Sequence, residues 1–160
     1  MRMDERHTFF EDGRRWLSTG VFFDANDVGS DFRGVTAVTH EGARIRIDGG
    51  GDLALSDGRA RRIENFYTVE RVDASALLWQ SRNPAFGTLA GTFHVYCDSI
   101  TSVFSSEDGA LLGIETLVLL ESGDYVARGA LLKDGSAVSK WAVTLTPDES
   151  CDVTGSGART

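Results

Sequence analysis

Long apolar runs are missing from this chain. Nowhere do about 18 consecutive apolar residues follow one another, which a membrane-spanning helix would need, and no such helix is expected. Proline is scarce, at 2 of 160 residues, and so is cysteine, also at 2. Cys97 and Cys151 belong to no CxxC pattern and to no zinc-ligand spacing. Free thiols in a reducing compartment are therefore expected, with no metal. The opening stretch MRMDERHTFFEDGRRW has early acids and no apolar segment, so it does not read as a secretory signal, and the cytoplasm is the expected location. Catalytic signatures are missing too: no GxSxG, no HExxH, no P-loop and no glycine-rich loop between a strand and a helix. No cofactor is expected.

Charge is lopsided. Twenty-four acidic residues against 16 basic ones leave a formal net charge of -8. That favours solubility and disfavours a phosphate backbone as partner, so neither nucleic acid nor membrane is expected. The one basic cluster, Arg59, Arg61 and Arg62, reads as surface charge.

What the chain has in quantity is glycine, 18 residues, set in dipeptides that punctuate short runs of β-branched and aromatic residues. Asp57-Gly58, Asp108-Gly109, Ser122-Gly123 and Asp134-Gly135 are hairpin signals. Between them run WLSTGVFFD (16–24), GVTAVTH (34–40), ARIRID (43–48), DLALS (52–56), NFYTVERV (65–72), SALLWQSR (75–82), TLAGTFHVY (88–96), SITSVFSS (99–106), ALLGIETLVLL (110–120), YVARGALL (125–132) and AVSKWAVTL (137–145). No sustained 3.6-residue period interrupts them. The Gly49-Gly50-Gly51 run reads as a turn between two short strands. Links this short permit only an antiparallel meander, because a parallel crossover needs about a dozen residues. Closing the meander on itself removes its two exposed edges. The expected fold is all-β, an antiparallel barrel of about 8–10 strands spanning 16–146. Residues 1–15 form an N-terminal segment, either a short helix or a cap over one end, and 147–160 a disordered tail.

Alternation assigns faces. Leu89, Gly91, Phe93 and Val95 share one side of their strand, and Ala90, Thr92, His94 and Tyr96 the other. His94 and Tyr96, with Tyr67 and Trp79 on neighbouring strands, suggest an aromatic pocket with polar handles. The alternative for His94 is an exposed or core-satisfied histidine, and for Trp79 and Trp141 plain core packing. His94 is also the one histidine placed to meet a haem iron. Arg82 and Gln80 are expected to rim the opening, and Trp16 to plug the far end. The run 110–120 is apolar on both faces, so its outside is expected to be covered by the N-terminal segment or a second subunit, or its inside to line an apolar cavity.

Glu115 is the only charge in that run. A buried carboxylate is costly unless paired. With the turn near Ser122-Gly123, Glu115 is expected opposite position 130 and diagonal to Arg128. That pair is either an exterior cross-strand salt bridge or an interior ion pair fixing the polar end of a ligand. The candidate catalytic groups are thus Glu115, Tyr96 and His94. The candidate ligand-binding groups are Tyr67, Trp79, Phe93, Arg128, Trp141 and Arg82.

An early Trp16, a meander with Asp-Gly turns, RGALL (128–132) and SKW (139–141) together resemble the calycin superfamily, the lipocalins and their lipocalin-like bacterial relatives. The lipocalin Gly-x-Trp is replaced here by Arg14-Arg15-Trp16, which points to a divergent branch. The resemblance implies enclosure of a hydrophobic small molecule, either as a binding or carrier protein or, as in some natural-product pathways, as a cofactor-independent cyclase or isomerase. A homodimer through the 110–120 wall is a further expectation.

Overall fold

In most strands of this chain, large apolar residues alternate with polar or small ones, a period-2 pattern that buries one face of a sheet. In the computed structural model, which describes residues 6–151 (the backbone alone at 151), that pattern builds ten strands. They are β1 (Arg15–Asp24), β2 (Gly29–Glu41), β3 (Arg44–Ala54), β4 (Ala60–Arg71), β5 (Ala76–Asn83), β6 (Gly87–Tyr96), β7 (Ser99–Ser106), β8 (Leu111–Leu119), β9 (Tyr125–Lys133) and β10 (Ser136–Pro147). Each pairs antiparallel with the next, and β1 pairs with β10 from Trp16↔Pro147 to Asp24↔Ser139, so the sheet is a closed barrel. Closure leaves no unpaired edge.

The turns fall where the dipeptides place them. Asp134 and Gly135 have φ of 51° and 79°, the pair of positive values that a tight two-residue hairpin requires. One expectation fails: Gly49, Gly50 and Gly51 are no turn. They lie inside β3, paired with Thr36, Val35 and Gly34 of β2 and with Asn65, Glu64 and Ile63 of β4. A Cβ on Gly51 would sit 2.5 Å from the Phe32 ring, so this glycine lets the strand pass beneath an aromatic. The two short strands expected over 43–56 are therefore one.

Residues 6–14 contain turns and no helix. They carry Phe9 and Phe10 into the end of the barrel where β1 begins. Phe9 stacks on Trp16 (5.8 Å between ring centroids) and meets Tyr125 edge-on, while Phe10 packs against Phe93 (5.3 Å). Trp16, fully buried, lies edge-on to Tyr125 at the base of this stack, at the end expected for it. The Tyr125 hydroxyl accepts the Thr8 N–H and donates to His7 Nδ1 at 3.0 Å, leaving His7 Nε2–H to the Cys97 carbonyl. On the outside, His40 Nε2 donates to the Phe10 carbonyl and the His40 N–H to Asp12. At the other terminus the Asp148 N–H bonds the Arg15 carbonyl and a 3₁₀ turn follows over Glu149–Cys151. The rest of the tail expected to be disordered, 152–160, lies outside the described residues.

Because residues 6–14 fill the barrel end, they do not cover the outside of β8. Leu78, Thr92, Val103, Ile114 and Ala130 form one outward row across β5–β9, with Val103 at 60% and Ile114 at 47% exposure. No helix among the described residues is long and apolar enough to cross a membrane.

Candidate functional site

The inward residues leave a cavity of about 410 Å³ above the plug, within the usual range of small-molecule sites. Its floor includes Phe9 and its walls Tyr67, Trp79, Phe93, Phe104, Phe22, Phe32 and Trp141. It reaches the opposite end at the exposed residues Asp24, Val28, Arg61 and Phe86, which sit at the β1–β2, β3–β4 and β5–β6 turns. That end is the mouth.

Two aromatic groups face each other across the lumen. On one side Tyr67 meets Trp79 edge-on at 5.2 Å, and Trp79 packs on Phe93 and Phe104. On the other, Trp141 stacks on Phe22, which meets Phe32 edge-on at 5.0 Å. Both of these lumenal indole N–H groups are used, whereas the buried Trp16 Nε1 has no partner among the described residues. Trp79 Nε1 donates to Ser102 Oγ at 2.8 Å, and Trp141 Nε1 donates to Glu115 Oε2 at 2.6 Å. The second bond depends on a glycine. Trp141 of β10 pairs with Gly129 of β9, which pairs with Glu115 of β8. A Cβ on Gly129 would run into the indole, so the ring lies flat over the bare backbone and reaches the carboxyl one strand further on. A bulge in β10 between Ala137 and Ser139 turns both Val138 and Ser139 toward the lumen.

Glu115 faces this lumen with the Trp141 indole as its hydrogen-bond donor. Burial pushes its carboxyl above the usual carboxylate range, a shift the indole N–H partly opposes. Tyr67, also in the wall, is pushed up by burial and then by the nearby Glu115 charge, and its hydroxyl has no partner among the described residues. Closer to the mouth, Asn83 donates to Asn65 at 2.5 Å, and both amides line the cavity.

Five of the nine residues singled out from the sequence thus meet in the lumen: Glu115, Tyr67, Trp79, Phe93 and Trp141. The other four point away from it. His94 and Tyr96 follow the outward parity of β6. His94 is exposed, away from any site for a haem inside the barrel, and the Tyr96 hydroxyl meets Thr101 outside. Arg82 lies at the mouth end of β5, exposed on its outer face. Arg128 is exposed on β9 and bonds the Ala127 carbonyl. The expected Glu115–Arg128 pair fails for a reason of register: Glu115 lies opposite Gly129, not 130, and Arg128 opposite Thr116. A slip of one residue moves a side chain to the other face. The three histidines are spread over the plug, the outer clamp on Phe10 and the wall of β6.

Sequence reasoning missed Phe22, Phe32, Phe104, Ser102 and the Asn65–Asn83 pair. For Phe22 a signal existed, since alternation from Trp16 through Ser18 and Gly20 reaches it. Arg61 was read as surface charge. It is exposed, yet it stands at the mouth on the inward parity of β4.

No family model matches the chain, and no curated protein matches it. Among solved structures it is similar to a chain described as a de novo design of a fluorescence-activating beta barrel, at 16% identity and a TM-score of 0.43, covering 92% of this chain and 99% of that one. The class to which the protein belongs, a closed ten-stranded antiparallel barrel, rests on its own strand pairing.

Proposed function

We propose that the protein encloses an apolar or amphipathic small molecule in the barrel, as a divergent, calycin-like binding or carrier protein of the cytoplasm. The observation that carries this reading is the cavity: about 410 Å³, walled by aromatic rings, sealed at one end by Phe9 and Trp16 and reached from the other. A site of that kind gains affinity from apolar burial and orientation from a few polar groups. Glu115 and Tyr67 supply those groups here.

Native mass spectrometry of freshly purified protein, set against its denatured mass, tests the proposal together with titration by N-phenyl-1-naphthylamine. A retained small molecule, or uptake of one equivalent of dye with a change in tryptophan emission, supports enclosure. Neither added mass nor dye uptake removes it. For the homodimer, the expected seat is the outward row through Val103 and Ile114, and sedimentation velocity decides it. A monomer at every concentration removes the dimer.

A second reading is favoured by the raised Glu115 carboxyl and the Tyr67 phenol, which face one aromatic-walled lumen. Such a pair suits proton donation during cyclisation or isomerisation of a folded natural product, with confinement supplying the rest. Among the residues first considered catalytic, this reading retains Glu115 and releases His94 and Tyr96. A substrate and its isomer share a mass, so chromatography of the enclosed compound before and after incubation is the discriminating readout. An unchanged compound removes the enzyme.

A further inference from the structure

A carboxyl group is an expensive way to supply one hydrogen bond in an apolar cavity, since a neutral amide or hydroxyl there costs less to desolvate. Glu115 occupies such a place, and the described groups around it do not balance its charge. Its cross-strand partners are Ser102 on β7 and Gly129 on β9, Trp141 of β10 donates to one carboxyl oxygen, and Tyr67 of β4 is near enough to feel its charge. The other charged groups lining the cavity, Asp24 and Arg61, are exposed at the mouth, where water screens them. The lumen below the mouth therefore offers the Glu115 acid, the Tyr67 hydroxyl, a few serine and threonine hydroxyls and a surround of aromatic faces. Aromatic faces attract cations, most strongly when water is excluded.

We propose that the cavity selects an organic cation: a protonated amine on an apolar body, with its ammonium between the Glu115 carboxylate and the Tyr67 hydroxyl and its body against the aromatic walls. This rests on the enclosure reading and narrows it to a ligand class. The net charge of -8 favours approach of such a ligand over an anion. In the empty cavity Glu115 holds its proton more tightly than an exposed carboxyl does. The ammonium stabilises the carboxylate, so wherever Glu115 of the empty cavity is still protonated binding releases that proton to buffer, and through that range affinity rises with pH.

Isothermal titration calorimetry of the full chain at pH 8 with 4-phenylbutylamine, 4-phenylbutan-1-ol and 4-phenylbutanoate tests this, because the three share one hydrocarbon body. The amine is expected to bind about tenfold or more tightly than the alcohol, with the carboxylate weakest. Glu115→Gln is expected to bring the amine down to the affinity that the same variant has for the alcohol. The ranking in the unsubstituted protein stands even if the variant fails to fold. Binding of the alcohol as tightly as the amine, or an amine preference that survives Glu115→Gln, overturns the cation inference and leaves enclosure standing. No binding of any of the three overturns the cation inference, while enclosure stands or falls on added mass and dye uptake.

Discussion

At the scale of single residues, Glu115 is a carboxyl buried in an aromatic lumen with one indole N–H as its donor. Burial raises its folded pKa above that of the unfolded chain. Between those two values the native state holds a proton that the unfolded state has lost, so stability falls as pH rises through that window. Below the unfolded pKa the contribution is fully present. Glu115→Gln has no such proton to lose. Urea denaturation from pH 4 to pH 8 is therefore expected to show the variant gaining on the wild type as pH rises, and a constant difference would refute the assignment. Ser102 makes a second case. Its hydroxyl is almost fully buried and accepts the Trp79 N–H. Trp79→Phe keeps most of the ring contacts but removes that donor, and it is expected to cost about 1–3 kcal/mol in the same assay.

At the scale of the strands, inward glycines decide how large rings fit a narrow barrel. Gly113 lies under Phe104 and Gly129 under Trp141, each as a direct cross-strand pair, and at both positions a Cβ would collide with the ring. These rings lie along the wall rather than across the lumen, and the space they leave is the cavity. Gly129→Ala is expected to lift Trp141, weaken its bond to Glu115 and cost about 1–3 kcal/mol, read by urea denaturation and a shift in tryptophan emission. Full stability with unshifted emission would mean that the indole does not lie over Gly129. Periodicity alone left open whether these positions face inward and which ring would cover each, because that depends on side-chain packing across neighbouring strands.

At the scale of the whole molecule, one end of the barrel is sealed by the chain's own beginning. His7, Phe9 and Phe10 look unremarkable within a polar stretch, yet they complete an aromatic stack running from Trp16 and Tyr125 to Phe93 and Trp79. Phe9→Ala is expected to cost about 3–5 kcal/mol and to enlarge the cavity it lines, measured by thermal unfolding and by dye uptake. A cost below about 1 kcal/mol would place the plug outside the cooperative core.

The class of the fold was legible in the residue pattern alone. Period-2 alternation, short links and Asp-Gly or Ser-Gly turns leave little besides an antiparallel meander, and a meander with two bare edges is driven to close. The same pattern marked Tyr67, Trp79, Phe93, Trp141 and Glu115 as candidates for a common site. Which of the polar candidates join them was a matter of register. One residue of slip between β8 and β9 turns an expected Glu115–Arg128 pair into a carboxyl inside and a guanidinium outside. The plug and the flat-lying rings were likewise settled by tertiary structure, since they come from packing between segments far apart in the chain, where no local pattern records the partner.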